Sequence, residues 1–206
     1  MELVHAIETR VSVRSFTAEK IKSEDLKELV RRAGLAPSIN NSQPWKFLVI
    51  TNQKLLKKMA QAVSERIGNL PVKDKEDTNR SFLSRIEWYS TFFEDAPAII
   101  VLLMKPYESV LEKGAELTHE EIDRMRNHPD MQTAGAAIQT MLLSAVDLGY
   151  GACWMSAPMV AKPALEKLMN VQLPWSLVTF VAIGKPFGSP ARKSKKTLRE
   201  IIEIIP

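Results

Sequence analysis

The sequence predicts an α+β fold. Apolar residues recur at helical spacing through most of the 206-residue chain, and between these stretches lie apolar runs too short for helices. Helices and strands are interspersed without an internal repeat, a low-complexity tract or a clear linker. A hydrophobic fraction of 45% over this length supports one sizeable core, so residues 1–206 are expected to form a single domain.

Taken in order, Leu3, Val4 and Ile7 mark one face of a short first helix, and residues 10–16 read as extended chain. Ser23 has the chemistry of an N-cap, with Glu24 and Asp25 placed for the helix dipole. Leu26, Leu29, Val30 and Ala33 form the buried stripe of that helix, and Gly34 stops it. Residues 46–51 read as a buried strand. Asn52 then caps a helix whose inner face carries Leu55, Leu56, Met59, Val63 and Ile67. Residues 71–80 are charged and read as a loop. The aromatic-rich stretch 82–93 has a helical reading. Residues 98–104 are a second strand, and 105–130 a long charged connection with a weak helical pattern at 120–126. The strongest periodicity predicts a helix over 133–148, ended by Gly149. A helix over 162–170 and a strand over 175–183 complete the elements.

Composition excludes several functions. Cys153 is the only cysteine, which rules out an internal disulfide and a thiolate metal cluster. The three histidines fit no ligand spacing, so no metal is expected. The N-terminus is amphipathic and unlike a signal peptide, and no apolar run is long enough to span a bilayer, so a cytoplasmic protein without a membrane partner is expected. The net charge of +4 is mildly basic, but no nucleic-acid recognition motif accompanies the one dense basic run, Arg192-Lys-Ser-Lys-Lys196, and no nucleic-acid partner is expected. Gly149-Tyr-Gly151 begins like a dinucleotide fingerprint but lacks the third glycine and follows a helix. There is no P-loop and no nucleophile elbow.

Two segments carry candidate chemistry. In Arg10-Val11-Ser12-Val13-Arg14, strand alternation sends the two guanidinium groups and the hydroxyl to one side. That is either a solvated edge-strand face or a cradle for a phosphate and polyol chain. In Ala36-Pro37-Ser38-Ile-Asn40-Asn-Ser-Gln43-Pro-Trp45-Lys46, prolines stiffen a loop crowded with amides and hydroxyls, which suits a planar heteroaromatic ligand. The basic run at 192–196 is either a solvated face or an anion contact.

Arg-x-Ser-x-Arg followed by Phe16, then a helix, then Ala-Pro-Ser-x-x-Asn-x-Gln-Pro-Trp, resembles the nitroreductase family of flavin enzymes. The resemblance continues through the 133–148 helix, the segment Gly149-Tyr-Gly-Ala-Cys-Trp154-Met155-Ser156, which looks like the family's flavin-contacting turn, and Ala182-Ile-Gly-Lys-Pro186. It implies a central, mostly antiparallel sheet flanked by helices and an intertwined homodimer with FMN at the interface. It also implies NADH or NADPH as electron donor, and an electron-poor small-molecule acceptor such as a nitroaromatic or quinone, served by a ping-pong mechanism. Alternatives within the resemblance are a reductive dehalogenase-like enzyme and a non-catalytic flavin-binding module. The implied cofactor contacts are Arg10, Val11, Ser12, Arg14, Pro37, Ser38, Asn40, Gln43, Trp154, Met155 and Ser156. From the basic tail, Arg192, Lys193 and Lys195 are added at the phosphate, and spacing does not choose among them. No side chain is needed as nucleophile; Arg14 is the candidate for stabilising reduced flavin. Phe82, Trp88, Tyr89, Phe92 and Phe93 either cap the flavin or belong to the core, and the core reading is preferred.

Overall fold

A computed structural model describes residues 2–71 and 77–205, and of residues 77–80 it describes the backbone alone. Its centre is strand β2 (Ala98–Met104), in which every residue is buried. On one side β2 pairs with β1 (Trp45–Ile50), and on the other with β4 (Ser176–Gly184), which in turn pairs with β3 (Gly151–Met155). All three pairings are antiparallel. The order β1-β2-β4-β3 fits the expected sheet.

Helices cover both faces. Alternation along β2 sends Ile99, Val101 and Leu103 into a cluster with α3 (Gln53–Gly68) and α7 (Lys162–Leu168). Ala98, Ile100, Leu102 and Met104 face the other way, against α2 (Ser23–Ala33) and α6 (Pro129–Asp147). The β2–β4 register shifts between Leu102 and Leu103, where Val178 is the extra residue. The remaining helices are α1 (Leu3–Thr9), α4 (Asp77–Thr91) and α5 (His119–Met125).

Several sequence expectations need correction. β1 is an edge strand whose residues are half-buried or exposed until Ile50, not a buried one; among the described residues nothing pairs beyond it. Lys22, not Ser23, is the N-cap of α2 and makes no side-chain cap bond; Glu24 and Asp25 supply the first-turn charge, and Asp25 also accepts the Tyr150 hydroxyl at 2.6 Å. α4 already begins at Asp77, so residues 77–80 are helical where a loop was expected, while 72–76 lie outside the described residues. α6 starts four residues before the expected Thr133, because Pro129 at the first helical position needs no N–H partner. Residues 151–155, read as a turn, are strand β3; Gly, Ala and Cys give little β signal by themselves, and pairing with β4 decides the conformation. Two caps follow the sequence: the Asn52 side chain accepts from the N–H groups of Lys54 and Leu55, and Gly149 ends α6 at φ +75°.

Two tight contacts tie these elements together. The first is the approach of residues 10–14 to β3. Ser12 bridges Ala152 in parallel, the Val13 N–H donates to the Ala152 carbonyl at 3.0 Å, and a Cβ added to Gly151 would meet Val13 Cγ2 at 2.6 Å. Gly151→Ala is therefore expected to cost about 1–3 kcal/mol, and the double variant with Val13→Ala to recover much of that loss, measured by denaturant unfolding.

The second joins α2 to α6. Arg32 donates to Glu28 at 2.7 Å and to Asp147 at 2.5 Å. Hydrogen bonds from Arg31 and Arg32 hold the Glu28 carboxyl down to about 2, against 4.5 ordinarily, and Arg32 likewise lowers Asp147. A folded-state value below the unfolded one gives stability that is present above pH 4.5 and lost as pH falls toward 2. Arg32→Met is expected to lower Tm by a few degrees at pH 6 and to flatten its fall between pH 5 and pH 2, read by thermal melts across about that range.

Candidate functional site

Residues 10–14 are built as a clasp. Val13 is buried against Gly151, which fixes the segment's height above the sheet edge. Val11 is half-buried, Ser12 is exposed, and Arg10 and Arg14 are half-exposed. The three polar groups converge near the Cys153 thiol. Burial pushes that thiol up, against a smaller downward pull from Arg14, the Ser12 hydroxyl and Arg10. No carboxylate pairs with Arg10 or Arg14 among the described residues: Arg14 makes a long 3.5 Å bond to the Ser12 carbonyl, and its guanidinium carbon lies 5.5 Å from the centroid of the Tyr89 ring. Two cations beside an accessible hydroxyl form an anion-binding surface.

The Pro/Asn-rich loop is strained. Asn40, Asn41 and Gln43 all sit at positive φ (49°, 51° and 45°), a conformation costly for residues other than glycine and concentrated at functional sites. The Ser38 hydroxyl accepts from the Gln43 N–H at 3.0 Å and locks the turn, while Pro37 is exposed. The amide side chains are barely engaged. Asn40 reaches the Glu108 carbonyl, and Gln43 reaches Asn41, each at 3.5 Å. The Ser42 hydroxyl is buried without a partner.

β3 leads out to Trp154, Met155 and Ser156. The Trp154 indole donates to the Thr179 hydroxyl at 2.8 Å and packs against Gly135 of α6, yet remains 46% exposed. The Thr179 hydroxyl in turn donates to the Met155 carbonyl. The Met155 side chain is buried in the core beside α3, so any ligand contact there comes from backbone; Ser156 is exposed.

The structure brings 10–14 together with β3 but not with the loop. Among the described residues no hydrogen bond joins residues 37–43 to either segment. The loop is fastened to α6 by the Ile39 N–H donating to Thr133, whereas Trp154 meets Gly135. Positions two apart on a helix point roughly 200° apart, so the loop and the Trp154 indole meet α6 on different sides. Arg192, Lys193 and Lys195 are exposed on a tail without regular secondary structure.

Other groupings escaped the sequence. Tyr89 of α4 reaches Arg14, a contact with no sequence spacing to betray it. Asp123, His128 and Asp130 gather within 4.8 Å, though the histidines look scattered along the chain. His128 bonds Asp123 at 2.8 Å, Asp130 accepts the Met131 N–H, and burial pushes the Asp130 carboxyl up. Lys105, His119, Asp123 and Asp130 border a cavity of about 450 Å³. A larger one, about 800 Å³, lies between α2, the end of β1 and Glu94; none of the candidate residues lines it, and its size alone gives it no chemistry. No helix among the described residues is long and apolar enough to cross a membrane.

Comparison with known proteins gives a consistent answer. The model of the nitroreductase family matches residues 7–185. A solved BluB-like flavoprotein from Clostridium difficile 630 is 31% identical, superimposes with a TM-score of 0.88, and is covered over 99% of its length by 100% of this chain. A nitroreductase with bound FMN from Desulfitobacterium hafniense DCB-2 shares the fold at 20% identity and TM-score 0.75, with 100% of this chain and 99% of that one covered. Among curated relatives, an Archaeoglobus fulgidus protein provisionally named an NADH dehydrogenase/NAD(P)H nitroreductase is 28% identical, over 90% of this chain and 86% of its own. An iodotyrosine deiodinase of Thermotoga neapolitana is 27% identical, over 86% and 84%. With a family model spanning most of the chain and its motif segments folded as described, this protein belongs to the nitroreductase family.

Proposed function

We propose that the protein is an FMN-dependent oxidoreductase, working as a homodimer, that takes electrons from NADH or NADPH and passes them to an electron-poor small molecule such as a nitroaromatic or a quinone. The observation that carries this reading is the Arg10-Ser12-Arg14 clasp: two cations and a hydroxyl without carboxylate partners among the described residues, fixed to β3 by Val13. The residues present fit FMN. The clasp offers charge for a phosphate, the loop offers loosely held amides at Asn40 and Gln43, and the Ser42 hydroxyl is buried and unpartnered. When bound, FMN supplies the redox chemistry, accepting hydride from the nicotinamide and returning electrons to the acceptor in its turn.

The chain's part is to bind and to orient. Arg10 and Ser12 hold the phosphate end, with one of Arg192, Lys193 and Lys195 joining them as the tail folds over. Arg14 supports negative charge at the pyrimidine edge. Pro37, Ser38, Asn40 and Gln43 belong to the site of the partner copy, a reading supported by the lack of any hydrogen bond, among the described residues, between this loop and the clasp. The backbone at Trp154, Met155 and Ser156 would contact the flavin. Exposed apolar residues support pairing of two copies: Leu3, Val4 and Ile7 on α1, and Leu198, Ile201, Ile204 and Ile205 on the tail.

A second reading, reductive dehalogenation at the same site, is favoured by the iodotyrosine deiodinase relative. Purified protein is expected to be yellow and to bleach with NADH or NADPH. Arg14→Ala is expected to weaken FMN binding about tenfold or more, or to slow bleaching comparably; no change in either removes Arg14 from the site. Turnover with nitroaromatic, quinone and iodotyrosine panels separates the two readings, and absence of turnover with all of them leaves a flavin-binding module.

A further inference from the structure

The Arg14 guanidinium has an aromatic support that lies outside the motif. Its carbon is 5.5 Å from the centroid of Tyr89, within cation–π range, and its one side-chain hydrogen bond among the described residues is the long one to Ser12. Tyr89 is itself braced. Trp88 meets it edge-on at 4.8 Å between ring centroids and lies 5.8 Å from Phe92, which is buried in the core next to Phe93. A line of rings thus runs from the core along the end of α4 to the cation. Tyr89 is 44% exposed, so burial does not account for its placement.

We infer that Tyr89 is a positioning residue for Arg14, holding the guanidinium over the clasp in the orientation that meets the bound cofactor. A free arginine side chain samples many rotamers and loses that freedom on binding; a ring beneath it removes part of the loss beforehand. The effect acts through the ring face and not through the hydroxyl, because cation–π attraction is a property of the π-system. Phenylalanine at position 89 keeps it and leucine removes it. The inference rests on the flavin reading for what Arg14 meets, but the pairing of Arg14 with Tyr89 is independent of any cofactor.

The test has two arms. In flavin-free protein, the Arg14 Nε–H resonance is expected to carry a ring-current shift that persists in Tyr89→Phe and disappears in Tyr89→Leu. In fluorescence titrations with FMN, Tyr89→Leu is expected to weaken binding about 2- to 30-fold, Tyr89→Phe to bind like the parent, and Tyr89→Leu to add nothing in an Arg14→Ala background. Equal binding by Tyr89→Leu and the parent overturns the inference. So does a Tyr89→Phe variant as weak as Tyr89→Leu, or an undiminished leucine effect without Arg14. Failure of the parent to bind FMN overturns the flavin reading instead, and the resonance arm then decides the pairing alone.

Discussion

Strand β2 has no solvent face, and the rest of the molecule is arranged around that constraint. Its seven residues are buried, so both surfaces of the sheet must be covered and both edges of β2 paired. Fully burying aliphatic side chains of this size is worth about 1.5–3 kcal/mol each, which makes the strand the natural organising centre. α3 and α7 answer one face, α2 and α6 the other. β4 carries the same double burial one position outward, and β3 is left as the edge against which residues 10–14 can settle. The candidate site is thus a product of sheet order: its 10–14 segment settles where the core ends.

That dependence explains what could be read in advance. α2, α3 and α6 have long apolar stripes, and β2 is an uninterrupted apolar run; burial leaves those marks directly in the residue order. The Arg10-Ser12-Arg14 and Pro37–Gln43 segments stand out in the residue order as well, because cations, hydroxyls and amides follow one another closely there. What escaped was decided by neighbours distant in the chain. β3 is a strand because β4 lies beside it. β1 is only half-buried because it is an edge strand among the described residues. Tyr89 reaches Arg14 across a separation of 75 residues, and Asp123, His128 and Asp130 meet only because the α5–α6 turn folds back. No local pattern encodes such meetings.

The placement of the two motif segments also has a physical logic. A loop holding three non-glycine residues at positive φ is expensive to maintain, and it is fastened at both ends: by Thr133 on α6 and by the carbonyl of Pro44, which accepts from Lys105 at the end of β2. The clasp, in contrast, is secured by shape, with Val13 fitted over a glycine. The loop is held by hydrogen bonds against its backbone strain, the clasp by steric fit together with the Val13–Ala152 backbone bond. Among the described residues no hydrogen bond joins the two, and that separation is what the proposed pairing of two copies would bridge.

The burial of the single cysteine beneath the clasp has a practical corollary. Cys153 sits on the strand that residues 10–14 cover, with Ser12 and Arg14 close to its sulfur. An alkylating reagent in the surrounding water reaches that sulfur only when the covering segment lifts or the domain opens more widely. The molecule therefore carries its own chemical timer, whose labelling rate reports how often this edge of the sheet breathes.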